Sequence, residues 1–163
     1  MSKTTTLNLD GTWLIRSDPG NVGLAESWFA ILAEDISLWK ASRVPAALQH
    51  TLGTDYHYVA WYRRTFVIPE SWGNFSRSWL RFQAVATHIQ VWIDGNFVGT
   101  HTGDFIAFEF EVTEFIKAGK SIELVFRVDE MLGHITKGFH DMVSLHHGGI
   151  WQPVAIIGTG DIH

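Results

Sequence analysis

The sequence predicts an all-β domain, a sandwich or a barrel, on three observations. Short runs in which apolar and polar residues alternate recur along most of the 163 residues. Turn residues separate these runs at roughly 8–12-residue intervals, a spacing typical of sandwiches and barrels. Helical periodicity is confined to two short stretches. Since no repeat, low-complexity segment or linker interrupts the pattern, residues 1–163 are expected to form a single domain.

The first half of the chain contains one predicted helix and two predicted strands. Residues 24–34 (LAESWFAILAE) place apolar side chains near helical spacing and predict a short helix. Residues 62–68 and 79–85 alternate as a strand with one buried face does. Because neighbouring side chains on a strand point to opposite faces, either Arg63 or Arg64 is expected to point inward.

A hairpin is predicted in the middle of the chain. Residues 88–94 (HIQVWID) alternate, and Asp94-Gly95 separates them from a second run at 97–99. Asp-Gly is the typical sequence of a two-residue hairpin loop, because the tight turn requires positive φ.

Three further strands complete the prediction. Residues 108–112 and 122–129 alternate, and the segment between them, 113–119, predicts one helical turn that Thr113 caps and a glycine ends. Residues 151–157 form the last strand. Since Pro153 has no N–H to donate, this strand is expected to lie at a sheet edge or to carry a bulge.

Composition and charge exclude several classes of function. The net charge is −5, so nothing in the chain favours nucleic acid or an anionic membrane as a partner. There are no cysteines, which excludes a disulfide framework and thiolate chemistry. No run approaches the roughly 20 apolar residues that span a bilayer. The opening residues lack the apolar core of a secretory signal, so a soluble protein is expected, with the cytoplasm favoured.

Two long connections, residues 39–60 and 130–149, are predicted to carry the function, because long loops in compact domains are usually functional. Loops gather at the ends of a sandwich, so these two could meet. Both connections are rich in histidine, tyrosine and aspartate. The candidate site residues are Asp55, His57 and Tyr58 near the first connection, and Asp129, His140, Asp141, His146 and His147 near the second. Among the tryptophans, Trp72 is the first candidate for an exposed platform.

The histidine-rich second connection allows other hypotheses. Histidine titrates near neutrality, so the loop could serve a small enzyme as an acid/base centre. No metal is expected, because the spacing of His134 and His140 fits no standard zinc pattern. A structural Ca²⁺, held by carboxylates and carbonyls, remains an alternative.

Six motifs occur in a specific order: LDGTW (9–13), VPAAL (44–48), AWYRRTFVIP (60–69), the segment 80–116 around WIDGNFVG, KSIELVFRVD (120–129) and HHGGIWQPV (146–154). Together they resemble the N-terminal sugar-binding domain of family 2 glycoside hydrolases, which include β-galactosidases, β-glucuronidases and β-mannosidases. The resemblance covers nearly the whole chain and depends on the order and spacing of the motifs.

The resemblance implies an antiparallel jelly-roll β-sandwich of the galactose-binding-domain type. It implies a longer parent enzyme whose catalytic glutamates lie in a barrel, so this chain is expected to be non-catalytic alone, with no cofactor. A carbohydrate ligand and neighbouring glycosidase domains are the implied partners. The candidate residues of the two connections would then bind the sugar, because sugar sites combine an aromatic face with side chains that hydrogen-bond hydroxyl groups. Hydrolysis by this chain alone would need two carboxyl groups about 5–5.5 Å apart, and no such pair can be assigned.

In β-galactosidase-like relatives, two side chains reach the sugar: an asparagine of the first loop and an aspartate just after the strand that here ends near Asp129. Here Tyr56-His57-Tyr58 replaces the asparagine, and Asp129 matches the aspartate only approximately.

The resemblance also implies that Gly148 and Gly149 turn the chain tightly into the final strand, since glycine takes positive φ at little cost, and that the bulky Trp151 after them is structural. A rival function from another class is an interaction domain that has no affinity for sugar and exposes an apolar surface.

Overall fold

A computed structural model describes residues 3–30, 36–73, 75–130 and 147–160. Within these ranges ten strands, one short helix and two 3₁₀ turns occur. The strands are β1 (Lys3–Asn8), β2 (Gly11–Asp18), β3 (Lys40–Val44), β4 (Val59–Val67), β5 (Arg77–Phe82), β6 (His88–Ile93), β7 (Asn96–Thr102), β8 (Phe108–Glu111), β9 (Ser121–Asp129) and β10 (Val154–Gly160). The helix α1 spans Gln49–Leu52, and the 3₁₀ turns span Ile36–Leu38 and Glu70–Trp72.

The strands form two antiparallel sheets that pack face to face. One sheet has four strands in the order β1-β10-β5-β8, and the other has six in the order β3-β2-β4-β9-β6-β7. The buried side chains between them include Trp13, Phe82 and Phe126, whose ring centroids are 5.1 Å apart in the Trp13–Phe126 and Phe82–Phe126 pairs. The predicted all-β jelly-roll sandwich is therefore confirmed.

The hairpin predicted from Asp94-Gly95 joins β6 to β7. Asp94 and Gly95 both have positive φ, 49° and 75°. The carboxylate of Asp94 also accepts a hydrogen bond of 2.8 Å from the backbone N–H of Glu123 on the adjoining strand. One residue thus makes the turn and ties it to the neighbouring β9.

The last strand departs from its prediction. It begins at Val154, after the proline, and it pairs with β1 on one side and β5 on the other. It is therefore an interior strand, and the predicted edge position is wrong. Pro153 needs no donor there, because it precedes the strand and its carbonyl accepts from the backbone N–H of Gln83 at 3.0 Å.

The structure describes residues 24–30 of the helix predicted over residues 24–34, and turns over residues 23–29 replace it there. Ser27 explains the difference, because its positive φ of 55° interrupts a right-handed helix. The buried carboxylate of Asp18 accepts hydrogen bonds from the backbone N–H groups of Val22 (2.8 Å) and Gly23 (2.9 Å) and from the indole N–H of Trp61 (3.0 Å). These bonds hold the start of the segment on the sheet.

The segment that Asp18 anchors covers the outer face of the six-stranded sheet. There Trp28 and Trp39 form a second apolar cluster with Trp61 and Trp92 of the sheet. Arg63 extends from β4 into this cluster and donates to the backbone carbonyl of Trp28 at 2.7 Å. Arg63 thus lies buried on the outer face of its sheet and not between the sheets.

Two smaller expectations also fail. Thr113 does not cap a helix, since residues 113–115 form a turn and the Thr113 hydroxyl accepts from the backbone N–H of Ser78 at 3.0 Å. Trp72 is no exposed platform, because it is 5% exposed and packs edge-to-face on Phe75.

No helix in the described ranges is long and apolar enough to cross a membrane.

Candidate functional site

The two long connections meet through the side chain of Gln49, the first residue of α1. Its amide Nε2 donates to the Glu130 carboxylate at 3.0 Å and to the Tyr56 carbonyl at 2.9 Å. Its amide Oε1 accepts from the backbone N–H of Gly148 at 3.1 Å. We call Gln49, His57, Glu130 and Gly148 the loop junction. The predicted meeting of the two loops is present in the structure.

Glu130 is the buried centre of this junction, with a side chain 4% exposed. It directly follows β9, where alternation turns its side chain away from the face that Asp129 occupies. A buried carboxylate requires hydrogen-bond donors, and His57 supplies one, with its ring Nδ1 3.2 Å from the carboxylate Oε1. The carboxylate favours the tautomer with a proton on Nδ1 and fixes the orientation of the imidazole ring.

The glycine pair allows the second connection to approach the first. A Cβ atom at Gly148 would lie 2.9 Å from the Glu130 carboxyl carbon, so glycine is needed there for space and not, as expected, for positive φ. Gly149 does have positive φ, 99°, and a Cβ atom there would lie 2.5 Å from the Tyr62 hydroxyl. Burial raises the pKa of that phenol, which therefore stays neutral.

The bulky residue that the pair delivers to the core is Ile150, which is fully buried. Trp151 is partly exposed and packs edge-to-face on Phe105, with ring centroids 6.0 Å apart. The structural role expected of Trp151 thus belongs to its neighbour.

Tyr56 fixes the first connection beside the junction. Its hydroxyl accepts from the backbone N–H of Asp18 at 2.9 Å and donates to the carbonyl of Val59. Burial raises the pKa of Tyr56 to about 12, so the hydroxyl keeps the proton that it donates. Tyr58 packs edge-to-face on Tyr56 with ring centroids 5.5 Å apart, yet remains 55% exposed. The loop therefore presents an aromatic surface on a fixed base.

The other predicted site residues lie around this framework. Asp55 is exposed in the turn after α1, and His147 is exposed immediately before Gly148. His57 belongs to the junction itself. His140, Asp141 and His146 lie outside the described residues.

Asp129 belongs to a different group of side chains, on the outer face of the six-stranded sheet. It accepts from Arg127 Nη2 at 3.1 Å, and the same nitrogen donates to Asn21 at 2.7 Å. His88, opposite Asp129 in the register, has a pKa lowered by burial and by the charge of Arg127. The structure does not bring Asp129 into the loop junction.

Sequence reasoning missed Gln49 and Glu130. Glu130 had a signal, since it continues the alternation of β9 and places an acid at an inward position. A buried acid requires a partner from elsewhere in the chain, but the sequence does not identify that partner as Gln49.

In the part of the chain that the structure describes, no three histidine or acidic side chains are placed to hold a metal ion. The structural Ca²⁺ considered from the sequence stays a prediction. Chemically, the junction can orient an imidazole beside an exposed phenol ring and offer hydrogen bonds to a polar ligand.

The fold defines the class of protein, a jelly-roll domain in which the described ends of the second connection meet the first connection beside an exposed tyrosine. The sequence model of the family described as "Glycosyl hydrolases family 2, sugar binding domain" matches residues 6–159. The chain belongs to this family.

Similar proteins are longer than this chain. A β-galactosidase of Thermoanaerobacter pseudethanolicus is 32% identical over 111 residues, which cover 67% of this chain and 15% of that protein. A β-glucuronidase of Paenibacillus borealis is 29% identical over 177 residues, covering 95% and 29%. Among solved structures, the β-glucuronidase of Ruminococcus gnavus in complex with D-glucuronic acid superposes with a TM-score of 0.78 at 21% identity, covering 95% and 29%. The chain thus spans less than a third of the length of these relatives.

Proposed function

We propose that this domain recognises a sugar through the loops around the loop junction and acts as a non-catalytic accessory domain of a family 2 glycoside hydrolase. The longer protein would be a β-glycosidase, as the names of the relatives suggest. Neighbouring glycosidase domains would be its partners within that protein.

The observation that carries the proposal is the fixed geometry of the loop junction. Gln49 and Glu130 hold the described ends of the two connections together by buried hydrogen bonds, and Glu130 fixes His57. Tyr58 packs on the anchored Tyr56. An exposed aromatic ring can lie against the C–H face of a sugar, while imidazole and carboxylate groups bind hydroxyls. Pre-ordered side chains reduce the entropy lost on binding.

Calorimetric titration with galactose, glucuronate, mannose and glucose tests this proposal. We expect saturable binding of one monosaccharide with a Kd of about 1 mM, equivalent to roughly −4 kcal/mol. Tyr58→Ala and His57→Ala should each remove it. Phe97→Ala is the matched control, because Phe97 is an equally exposed aromatic residue (57% against 55%) that lies on the β6–β7 hairpin.

Two results would contradict the proposal. One is the absence of saturable binding of all four sugars at tens of millimolar. The other is binding that survives both substitutions, which would place the sugar away from the first connection.

The connection between β7 and β8 favours a second function, contact with another domain. Phe105 and Ile106 are adjacent and are 72% and 68% exposed. Such side chains are typical of contact surfaces, and we propose that they contact a neighbouring domain of the longer protein. If so, Ile106→Asp should leave sugar binding by this chain unchanged and lower the unfolding temperature only of the longer enzyme.

A further inference from the structure

The outer faces of the two sheets differ. On the six-stranded sheet, Trp28 from the segment that Asp18 anchors and Trp39, which directly precedes β3, pack over the sheet. On the four-stranded sheet, the strand register and the burial of alternate side chains show which residues lie on the outer face. Its exposed side chains within the described residues are Thr4, Thr6, Asn8, Arg77, Glu109 and Glu111.

Trp79 lies at the centre of this face. It sits on β5 between the buried residues Ser78 and Leu80, and it pairs with Ile157 of β10 and Glu111 of β8. Its indole N–H donates to the Thr159 hydroxyl at 3.3 Å. This bond directs the ring towards β10 and holds a partly exposed aromatic surface on a rigid strand.

Charged side chains of both signs flank the ring. In one neighbouring row of the sheet, Arg81 stands opposite Glu109, and these two residues line a shallow depression with Ala107 and Phe108. In the other direction, the guanidinium of Arg77 lies over the Trp79 ring, 5.7 Å from its centroid, and 3.7 Å from the Glu111 carboxylate. The net charge of these two arginines and two glutamates is zero.

We propose that this face binds a neutral oligosaccharide, with one sugar ring against Trp79 and its neighbour hydrogen-bonded to Arg81 and Glu109. Successive rows on a strand lie about 7 Å apart, so the depression and the indole ring can serve adjacent units of one glycan chain. This site is separate from the loop junction and does not depend on it.

The chemistry of the face favours a glycan over other ligands. The core of a protein interface is depleted in charged residues, whereas here four charged side chains surround one aromatic ring. Nucleic acid requires an excess of basic groups, and the charges here are balanced. A neutral polyhydroxyl ligand uses both signs, because arginine donates hydrogen bonds and glutamate accepts them.

The test is titration of the 163-residue chain with four tetrasaccharides: cellotetraose, xylotetraose, mannotetraose and β-1,4-galactotetraose. We expect one of them to bind more tightly than its monosaccharide and to shift the indole N–H resonance of Trp79, which Trp79→Phe identifies by its disappearance. Trp79→Ala should weaken binding by about tenfold or more. Trp79→Phe should retain more affinity, because it keeps an aromatic surface.

Arg81→Ala provides a second variant that leaves the tryptophan in place, and it should also weaken binding. Phe97→Ala on the other sheet is the control, and thermal unfolding shows whether each variant is folded. Binding of no tetrasaccharide would overturn the proposal. So would binding that survives Trp79→Ala but is lost in Tyr58→Ala, since the ligand would then occupy the loop junction. Binding that is lost in Trp79→Ala but survives Tyr58→Ala would support the sheet site, even if the loops bind no sugar.

Discussion

Gln49 and Glu130, 81 residues apart in the sequence, are joined by a hydrogen bond of 3.0 Å between amide and carboxylate. The same amide group accepts from the backbone N–H of Gly148 at 3.1 Å. Glu130 and Gly148 stand at the two ends of the histidine-rich connection. The side chain of Gln49, in the first connection, therefore holds the two ends of the second connection together.

Gln49→Ala should destabilise the protein by about 2 kcal/mol, because it leaves a buried carboxylate and a buried backbone N–H without this partner. The free energy of unfolding in urea measures the loss. Gln83→Ala, at an exposed position, is the matched control and should change stability by no more than about 0.5 kcal/mol. Equal losses in the two variants would show that the hydrogen bonds of Gln49 are not what holds the loops.

Gly149→Ala and Gly53→Ala separate backbone strain from steric overlap. Both glycines have positive φ, 99° and 109°. A Cβ atom at Gly53 meets nothing within 4 Å, whereas one at Gly149 would lie 2.5 Å from the Tyr62 hydroxyl. We expect a loss of about 1–2 kcal/mol for Gly53→Ala and a loss larger by about 1–3 kcal/mol for Gly149→Ala. Denaturant unfolding compares them, and a Gly149→Ala loss no larger than that of Gly53→Ala would rule out the overlap.

Asp18→Asn tests the anchor of the segment that covers the six-stranded sheet. The carboxylate accepts three hydrogen bonds, and an amide nitrogen in place of one oxygen would face a donor. We expect a loss of about 2–3 kcal/mol, together with higher exposure of the Trp28 side chain to a fluorescence quencher. Glu114→Gln, at an exposed position, removes one negative charge as a control. Unchanged quenching in Asp18→Asn would show that the segment is held by its tryptophans alone.

Stability should depend on the protonation of His101. This ring stacks on Phe108 with centroids 3.8 Å apart, and burial lowers its pKa below the ordinary value of 6.5. Below pH 6.5 the unfolded chain therefore binds more protons at this residue than the folded chain does. Stability is lost as the pH falls from about 7 towards the lower, folded pKa.

His101→Phe keeps the stacked ring and removes the titration, so it should lose less stability than the native protein between pH 7.5 and pH 5.5. Urea unfolding at the two pH values gives the difference. The prediction fails if both proteins lose the same amount.

Local patterns were sufficient for the strands and for the turn at Asp94-Gly95, because alternation and positive φ are properties of neighbouring residues. They were not sufficient for the order of the strands. The final strand was expected at an edge on account of Pro153, but its place between β1 and β5 depends on residues more than 70 positions away. The helix predicted from residue 24 is interrupted at Ser27, whose positive φ of 55° the helical spacing of the apolar residues does not reveal.

The candidate site shows the same division. The two connections and the exposed Tyr58 could be found from composition and length, whereas the pairing of Glu130 with Gln49 joins segments remote in sequence. Asp129 was a candidate from the sequence, but the neighbouring Glu130 reached the junction instead. A difference of one position on a strand reverses the face on which a side chain lies.

Lys3 of β1 pairs with Gly160 of β10, so the two ends of the described sandwich are neighbours. They lie at one end of the four-stranded sheet, and the glycine pair of the loop junction adjoins its other end, beside the bridge between Ala86 and Gly149. A tether attached at Lys3 or Gly160 would consequently leave the glycine pair facing away from a solid support. A short peptide joining these two residues would permit circular permutation, with new ends opened at the Asp94-Gly95 turn.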